Sequence, residues 1–336
     1  MQSDPLYTEH YRTVAMALAG HPVNLSGIPG DIFNQLVISN GIAPLLAYQQ
    51  AQGKATGIDG ETTKALTERS RRQAAQDLVL NNDTRKLLEQ FAETGLRCLA
   101  LTGTPLSLLA YPESYLRERC DTDLYIAEKD IEAVTHVLRD AGYTIHGQGE
   151  RPGVSKQCQA SIRSFQGLHS KFDIHFRLSN RVLFRRTLPF EACWETRQPV
   201  AALGDAAFTL SNIDLLIHAC IHRIAHGRNT ERDRLIWLFD IHLLAERMNE
   251  EEQALFRERA AQKRVGVLCA DALKVTREIF GTAVSPDLIA ALEENYRDEP
   301  SAKLVHASRI RWAVSDVASA RGLKTRLGLV KEFLFR

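Results

Sequence analysis

Several features that would each have named a class of protein are missing from this chain. The six cysteines, Cys98, Cys120, Cys158, Cys193, Cys220 and Cys269, are scattered with no CxxC pairing, a pattern of reduced thiols rather than of a disulfide framework. No apolar run approaches the roughly 20 residues that a membrane span needs. The N-terminal MQSDPLYTEHYR lacks the apolar core of a signal peptide. Net charge is only +1, so any attraction to nucleic acid or membrane has to be local. Internal repeats, low-complexity tracts and the HExxH metal motif are absent as well. What remains is 336 residues, 44% apolar and 25% charged, long enough for a large core and two or three subdomains. These absences together predict a soluble, cytoplasmic protein.

The pattern along the chain predicts an α+β protein in three parts. Residues 1–95 read as a helical region. DIFNQLVISNGIAPLLAYQQAQG has helical spacing punctuated by Gly41 and Pro44, and a long helix over 61–94 has Leu66, Ala74, Leu78, Leu87, Leu88 and Phe91 inward and Gly95 as its stop. Residues 96–200 change character: an apolar strand from Leu96 to Leu101, an acidic strand around 121–126, and an amphipathic helix ending near Gly142. A weak strand (QASIRSF) and a cleanly alternating one (KFDIHFRLS) follow. These imply a small mixed sheet with its helices on one side. Residues 201–336 are a second helical region, opened by Ser211 or Asn212 as cap with Asp214 in the first turn.

The stretch LRCLALTGTPLSLLAYPESYLRERCDTDLYI carries the most chemistry. Strand alternation sends Asp121, Asp123 and Tyr125 to one face and Thr122, Leu124 and Ile126 to the other. Two neighbouring carboxylates repel unless something positive lies between them. In KFDIHFRLS, Asp173, His175 and Arg177 share the polar face. Three carboxylates gathered from two strands suit Mg²⁺ (or Mn²⁺), a hard ion that prefers oxygen ligands and shares them with phosphates. Glycine followed by a hydroxyl residue, Gly103-Thr104, at a strand-to-helix turn lets backbone amides approach a triphosphate.

In these residues the sequence resembles the nucleotidyltransferases of the DNA-polymerase-β superfamily, and more closely an uncharacterised bacterial branch of them. The superfamily pattern of apolar strand, Gly-Gly/Ser, helix, Asp-x-Asp and a third Asp on a later strand is matched by LALTGTPL, CDTDLYI and KFDIHF. The branch pattern is matched by Leu116-Arg117, Gly142-Tyr143, Asp173-Ile174-His175 and Trp194. Further on it is matched by Asp214, Leu215, Leu216, His218 and His222, and by Trp237 to Asp240. The resemblance implies a nucleotidyltransferase core over 96–200 between the two helical regions. Its implied activity is metal-dependent transfer of an NMP from an NTP to an acceptor hydroxyl, with release of pyrophosphate. Asp121, Asp123 and Asp173 would be catalytic and metal-holding residues. Gly103, Thr104, Arg117, Arg119 and His175 would bind nucleotide. Branch members usually carry Lys-Gly where this chain has Thr102-Gly103, and a Gly where it has Cys120.

Alternatives stay open at this level. The fold could hold a nucleotide or partner without chemistry, a reading favoured by the missing Lys at position 102. The acceptor could be a small molecule, a protein side chain or RNA, and the NTP and oligomeric state are undetermined. His218, His222 and His226 stand four apart and could bind Zn²⁺, or serve packing or substrate contact. Between Glu150 and Arg186 eight Lys/Arg face two acids, either a polyanion site or a solvated face. The last 36 residues hold eight Lys/Arg against two Asp/Glu, a basic amphipathic segment that suits a capping helix, a membrane or RNA.

Overall fold

A computed structural model of the chain describes residues 5–146, 157–163, 168–179, 181–226, 233–294, 299–305, 307, 309–320 and 322–334. The chain opens with α1 (Pro5–Leu18), β1 (Val23–Asn24), α2 (Gly30–Asn40), α3 (Ala43–Ala51), β2 (Ala55–Thr56) and the long α4 (Gly60–Glu93). Next come β3 (Cys98–Leu101), α5 (Gly103–Leu109), β4 (Thr122–Ile126), α6 (Ile131–Asp140), β5 (Thr144–His146), β6 (Gln157–Arg163) and β7 (His169–His175). They are followed by α7 (Phe190–Glu195), β8 (Gln198–Pro199) and β9 (Phe208–Thr209). Among the described residues the rest of the chain forms the helices α8 (Asn212–His226), α9 (Leu235–Glu246), α10 (Glu250–Gln262), α11 (Gly266–Phe280), α12 (Pro286–Glu294), α13 (Arg309–Ser319) and α14 (Leu323–Leu334).

Among the described residues β3 to β9 form a seven-stranded mixed sheet in the order β5-β6-β7-β4-β3-β9-β8. β4 runs antiparallel to β3 and parallel to β7. The parallel pairing needs a crossover, supplied by α6 and the β5–β6 ribbon. The sheet runs on to Thr209, because β9 adds to the far edge of β3.

Helices cover both faces of this sheet, which corrects the one-sided packing expected from the sequence. On one face Cys98, Ala100, Leu124, Ile126, Phe172 and Ile174 pack against α4 and α6. On the other, Leu99, Leu101 and Tyr125 pack against α7 and α8. A strand of four residues buried on both sides, such as β3, has no alternation to show which helices will cover it. A separate cluster joins α1, α2 and α3 to α9 and the end of α11, so the two helical regions close on each other.

The inner row of α4 also departs from expectation. Leu78 is 72% exposed, and the buried row runs through Leu66, Gln73, Asp77, Leu80, Thr84, Leu87, Leu88 and Phe91. Its middle is polar because it faces a buried arginine, described below, so leucine spacing found both ends of the stripe, Leu66 and Leu87, Leu88 and Phe91, and misplaced its middle at Leu78. Gly95 ends the helix as expected: at φ +73 it lets Leu96 N–H return to the Phe91 carbonyl at 2.8 Å.

Ser211 caps α8, its hydroxyl oxygen accepting from the Asp214 N–H at 3.2 Å. Asp214 in turn binds Arg259 of α10 at 2.6 Å. Ser211→Ala is expected to lower stability by about 1 kcal/mol, the usual value of a lost cap, read as a lower midpoint in thermal or denaturant unfolding.

Candidate active site

In the parallel pair β4–β7, Asp123 lies directly beside Asp173, and Tyr125 beside His175. Residues in register on neighbouring strands point to the same face, so the two carboxylates and the imidazole converge. Ligating atoms of Asp123, Asp173 and His175 all lie within 4.8 Å of one another. Asp121, just before β4, stands outside that tight group yet is close enough to feel it. Burial, and then the negative charges of Asp123 and Asp173, push its carboxyl up to about 6, against the pull of Arg117 and Arg119. Asp123 moves the other way. Burial alone would raise it, but the His175 contact and charge and the Thr102 hydroxyl outweigh burial and hold it below the usual carboxylate range.

Two donors fix the Asp123 carboxylate. His175 Nε2 lies 2.7 Å from Oδ1 and Thr102 Oγ1 donates to Oδ2 at 2.8 Å. An ionised carboxylate can only accept, so the imidazole carries its proton on Nε2. Its Nδ1 is then buried without a hydrogen-bond partner. Thr102 reaches Asp123 from a strained backbone, φ 44 and ψ −113, in a region costly for a β-branched residue. Thr102→Gly is expected to raise stability by about 1 kcal/mol, the relieved strain exceeding the entropy glycine adds to the unfolded chain. The same change frees the Asp123 carboxylate to swing. A higher melting point with weaker metal binding is the expected pair of results.

The arginines beside the acidic pair are engaged elsewhere. Arg117 is buried, and its Nε and Nη2 make a two-pronged contact with Asp240 of α9, the shortest at 2.8 Å. Tyr111 donates its hydroxyl to the same carboxylate at 2.8 Å. A Cβ on Gly103 would stand 2.7 Å from Arg117 Nη1. The glycine therefore admits the guanidinium beneath the turn. Arg119 binds Asp77 of α4 at 2.8 Å with 2% of its side chain exposed.

Arg119 also starts a chain of hydroxyls. It donates to Thr104 Oγ1 at 3.0 Å, Thr104 donates to Thr122 at 3.2 Å, and Thr84 donates onward to the Leu80 carbonyl. Because Thr84 spends its hydrogen there, Thr122 must be the donor in the 3.1 Å Thr122–Thr84 contact. The Thr104 hydroxyl, expected at a phosphate, is thus turned into the α4 side of the sheet and 1% exposed.

Sequence reasoning missed Thr102, Asp77, Tyr111 and the role of Asp240. Asp240 had a signal, the Trp237–Asp240 match, and Thr102 had one only as the residue standing in place of a lysine. His222 of α8 also went unplaced; it is near enough for its charge to act on Asp123, and its ring meets Trp237 edge-on at 4.9 Å. Its neighbour His218 lies one turn away, ring centres 6.2 Å apart. Among the described residues the metal-capable group is Asp123, Asp173 and His175, and the histidine row does not join it. The His226 side chain, with Glu150, Arg151 and Lys156 of the basic stretch, lies outside the described residues. Within that stretch Arg177 pairs with Glu128, and Arg181 with Asp316 at 3.1 Å. The local excess of positive charge is therefore smaller than a count along the chain implies.

The donor set fits a divalent cation. Asp123 and Asp173, with ligating oxygens within 4.8 Å of each other and Asp121 close by, form an oxygen-rich cluster whose like charges need a positive partner, and His175, its Nε2 proton given to Asp123, orients that cluster. Among the described residues no helix is long and apolar enough to cross a membrane. A search of curated proteins finds no match to the chain. A family model described as "Uncharacterised nucleotidyltransferase" matches residues 30–281. That span takes in the carboxylates, the Thr102–Gly103 turn and the Arg117–Asp240 pair, and the chain belongs to this nucleotidyltransferase family.

Proposed function

We propose that the chain moves an NMP from an NTP to an acceptor hydroxyl and releases pyrophosphate, with residues 96–200 as the catalytic core and the helical regions choosing the acceptor. The observation that carries this reading is the Asp123–Asp173 register across parallel strands, with Asp121 two residues before. Asp121, Asp123 and Asp173 would hold the cation. When bound, Mg²⁺ or Mn²⁺ would supply positive charge that offsets what builds on the leaving pyrophosphate.

The chain's own groups have separate tasks. The Thr102–Gly103 turn lies against the triphosphate, and Thr102 and His175 hold Asp123 in one orientation. Asp173 takes the proton as the acceptor oxygen attacks the α-phosphorus, the bond to the bridging oxygen breaks, and pyrophosphate departs. Arg117 and Arg119 act from behind the carboxylates, lowering the cost of gathering them, rather than by touching phosphate. His222 of α8, near enough to act on Asp123, would be available to a bound base or acceptor. The acceptor would be a hydroxyl of an RNA, a protein or a small molecule, and the reaction would run in the cytoplasm, where NTPs are supplied.

The test is incubation of the chain with each α-labelled NTP and Mg²⁺ or Mn²⁺, alone, with total RNA and with cell extract. Label transferred by the wild type, but not by the Asp121→Ala/Asp123→Ala variant, is the expected result. Nucleotide binding without transfer across that panel would overturn it in favour of a binding module on the same fold.

A further inference from the structure

Of the eight large apolar side chains described as exposed, five lie on the last two helices: Ile310, Val314, Leu323, Leu327 and Val330. On α14, Leu323, Leu327 and Val330 fall at i, i+4 and i+7, one stripe of a helix, and are 74%, 60% and 40% exposed. The half-buried positions are instead Thr325, Gly328 and Leu329. The helix thus turns its longer apolar row to solvent. At about 100° per residue, Arg326 and Lys331 flank that row on either side, and both are exposed.

The pair is fixed to the core through α13. Trp312 is buried, edge-on to Phe184 at 6.0 Å, with the Arg181 guanidinium 4.7 Å from its ring centre. Asp316, one of only two acids in the last 36 residues, is spent inward on Arg181 and the Val182 N–H. That leaves an apolar row bordered by cations.

We infer that the α13–α14 pair docks the protein on an anionic lipid surface. An apolar row between basic flanks is the form that lies in a bilayer interface, the row among acyl chains and the cations among headgroups. RNA would use the cations and leave the leucines in water. A two-fold contact with a second copy would bring the same basic flanks together. The inference is independent of the nucleotidyl-transfer reading.

The test is flotation of the full chain with vesicles of phosphatidylcholine, with and without phosphatidylglycerol. Binding only to the anionic vesicles, weakened by salt and reduced about tenfold or more by Leu323→Glu/Leu327→Glu, is the expected result. Thermal unfolding of that variant should match wild type, since both sites are on the surface. No flotation at low salt, or flotation unchanged by the double substitution, would overturn the inference. So would a wild-type dimer or RNA complex that the substitution abolishes while flotation persists.

Discussion

Asp123→Ala is expected to abolish nucleotidyl transfer, by a factor on the order of a thousand or more, the scale on which loss of a key charged group acts in phosphoryl transfer. Asp123 is the side chain that both donors serve, in register with Asp173 and two residues from Asp121. Its removal takes away the centre of the cluster and leaves Thr102 and His175 with nothing to orient. Mn²⁺ titration followed by electron paramagnetic resonance should show binding lost together with activity. The fold should survive, because the Asp123 side chain is at the sheet's rim with 28% of its surface exposed. Asp121→Asn should also lose metal while leaving the metal-free protein no less stable, since it removes a repelling charge. Retained transfer by Asp123→Ala would remove the site from the reaction.

Asp240→Ala is expected to have the largest effect on stability, about 3–5 kcal/mol, the cost of stranding one partner of a buried ion pair. Arg117 would be left in the interior, and the Tyr111 hydroxyl would lose its acceptor. The double variant Arg117→Met/Asp240→Leu should recover much of that stability, because two apolar side chains can replace a buried pair at little net cost. Activity should not recover with it. Arg117 packs under Gly103 and counters the charge at Asp121, so its loss frees the turn that carries Thr102. Denaturant unfolding beside single-turnover kinetics separates the two effects. Full activity in a refolded double variant would reduce the pair to a structural strut.

The carboxylates could be read before any coordinates because strand alternation is local. A period of two places Asp123 with Tyr125, and Asp173 with His175, whatever surrounds them, while Asp121, just before the strand, is not fixed by that period. Their partners could not be read, because burial charges are neutralised across the fold rather than along the chain. Arg117 finds Asp240 at a separation of 123 residues, Arg119 finds Asp77 at 42, and Arg181 finds Asp316 at 135. An arginine next to an acidic couplet looks like a phosphate ligand until the distant carboxylate that claims it is known.

By itself the sequence determined the α+β class, the positions of Asp123 and Asp173 on neighbouring strands, the glycine turn between β3 and α5, and the helices around them. All follow from periodicity and backbone chemistry within a few residues. Tertiary structure decided the rest: which side of α4 is inward, that helices cover both faces of the sheet, that Thr104 serves the interior and Thr102 the site, and that Gly103 makes room for an arginine. These are settled by what packs against each side chain, and a buried polar group must take whatever partner the fold brings within reach.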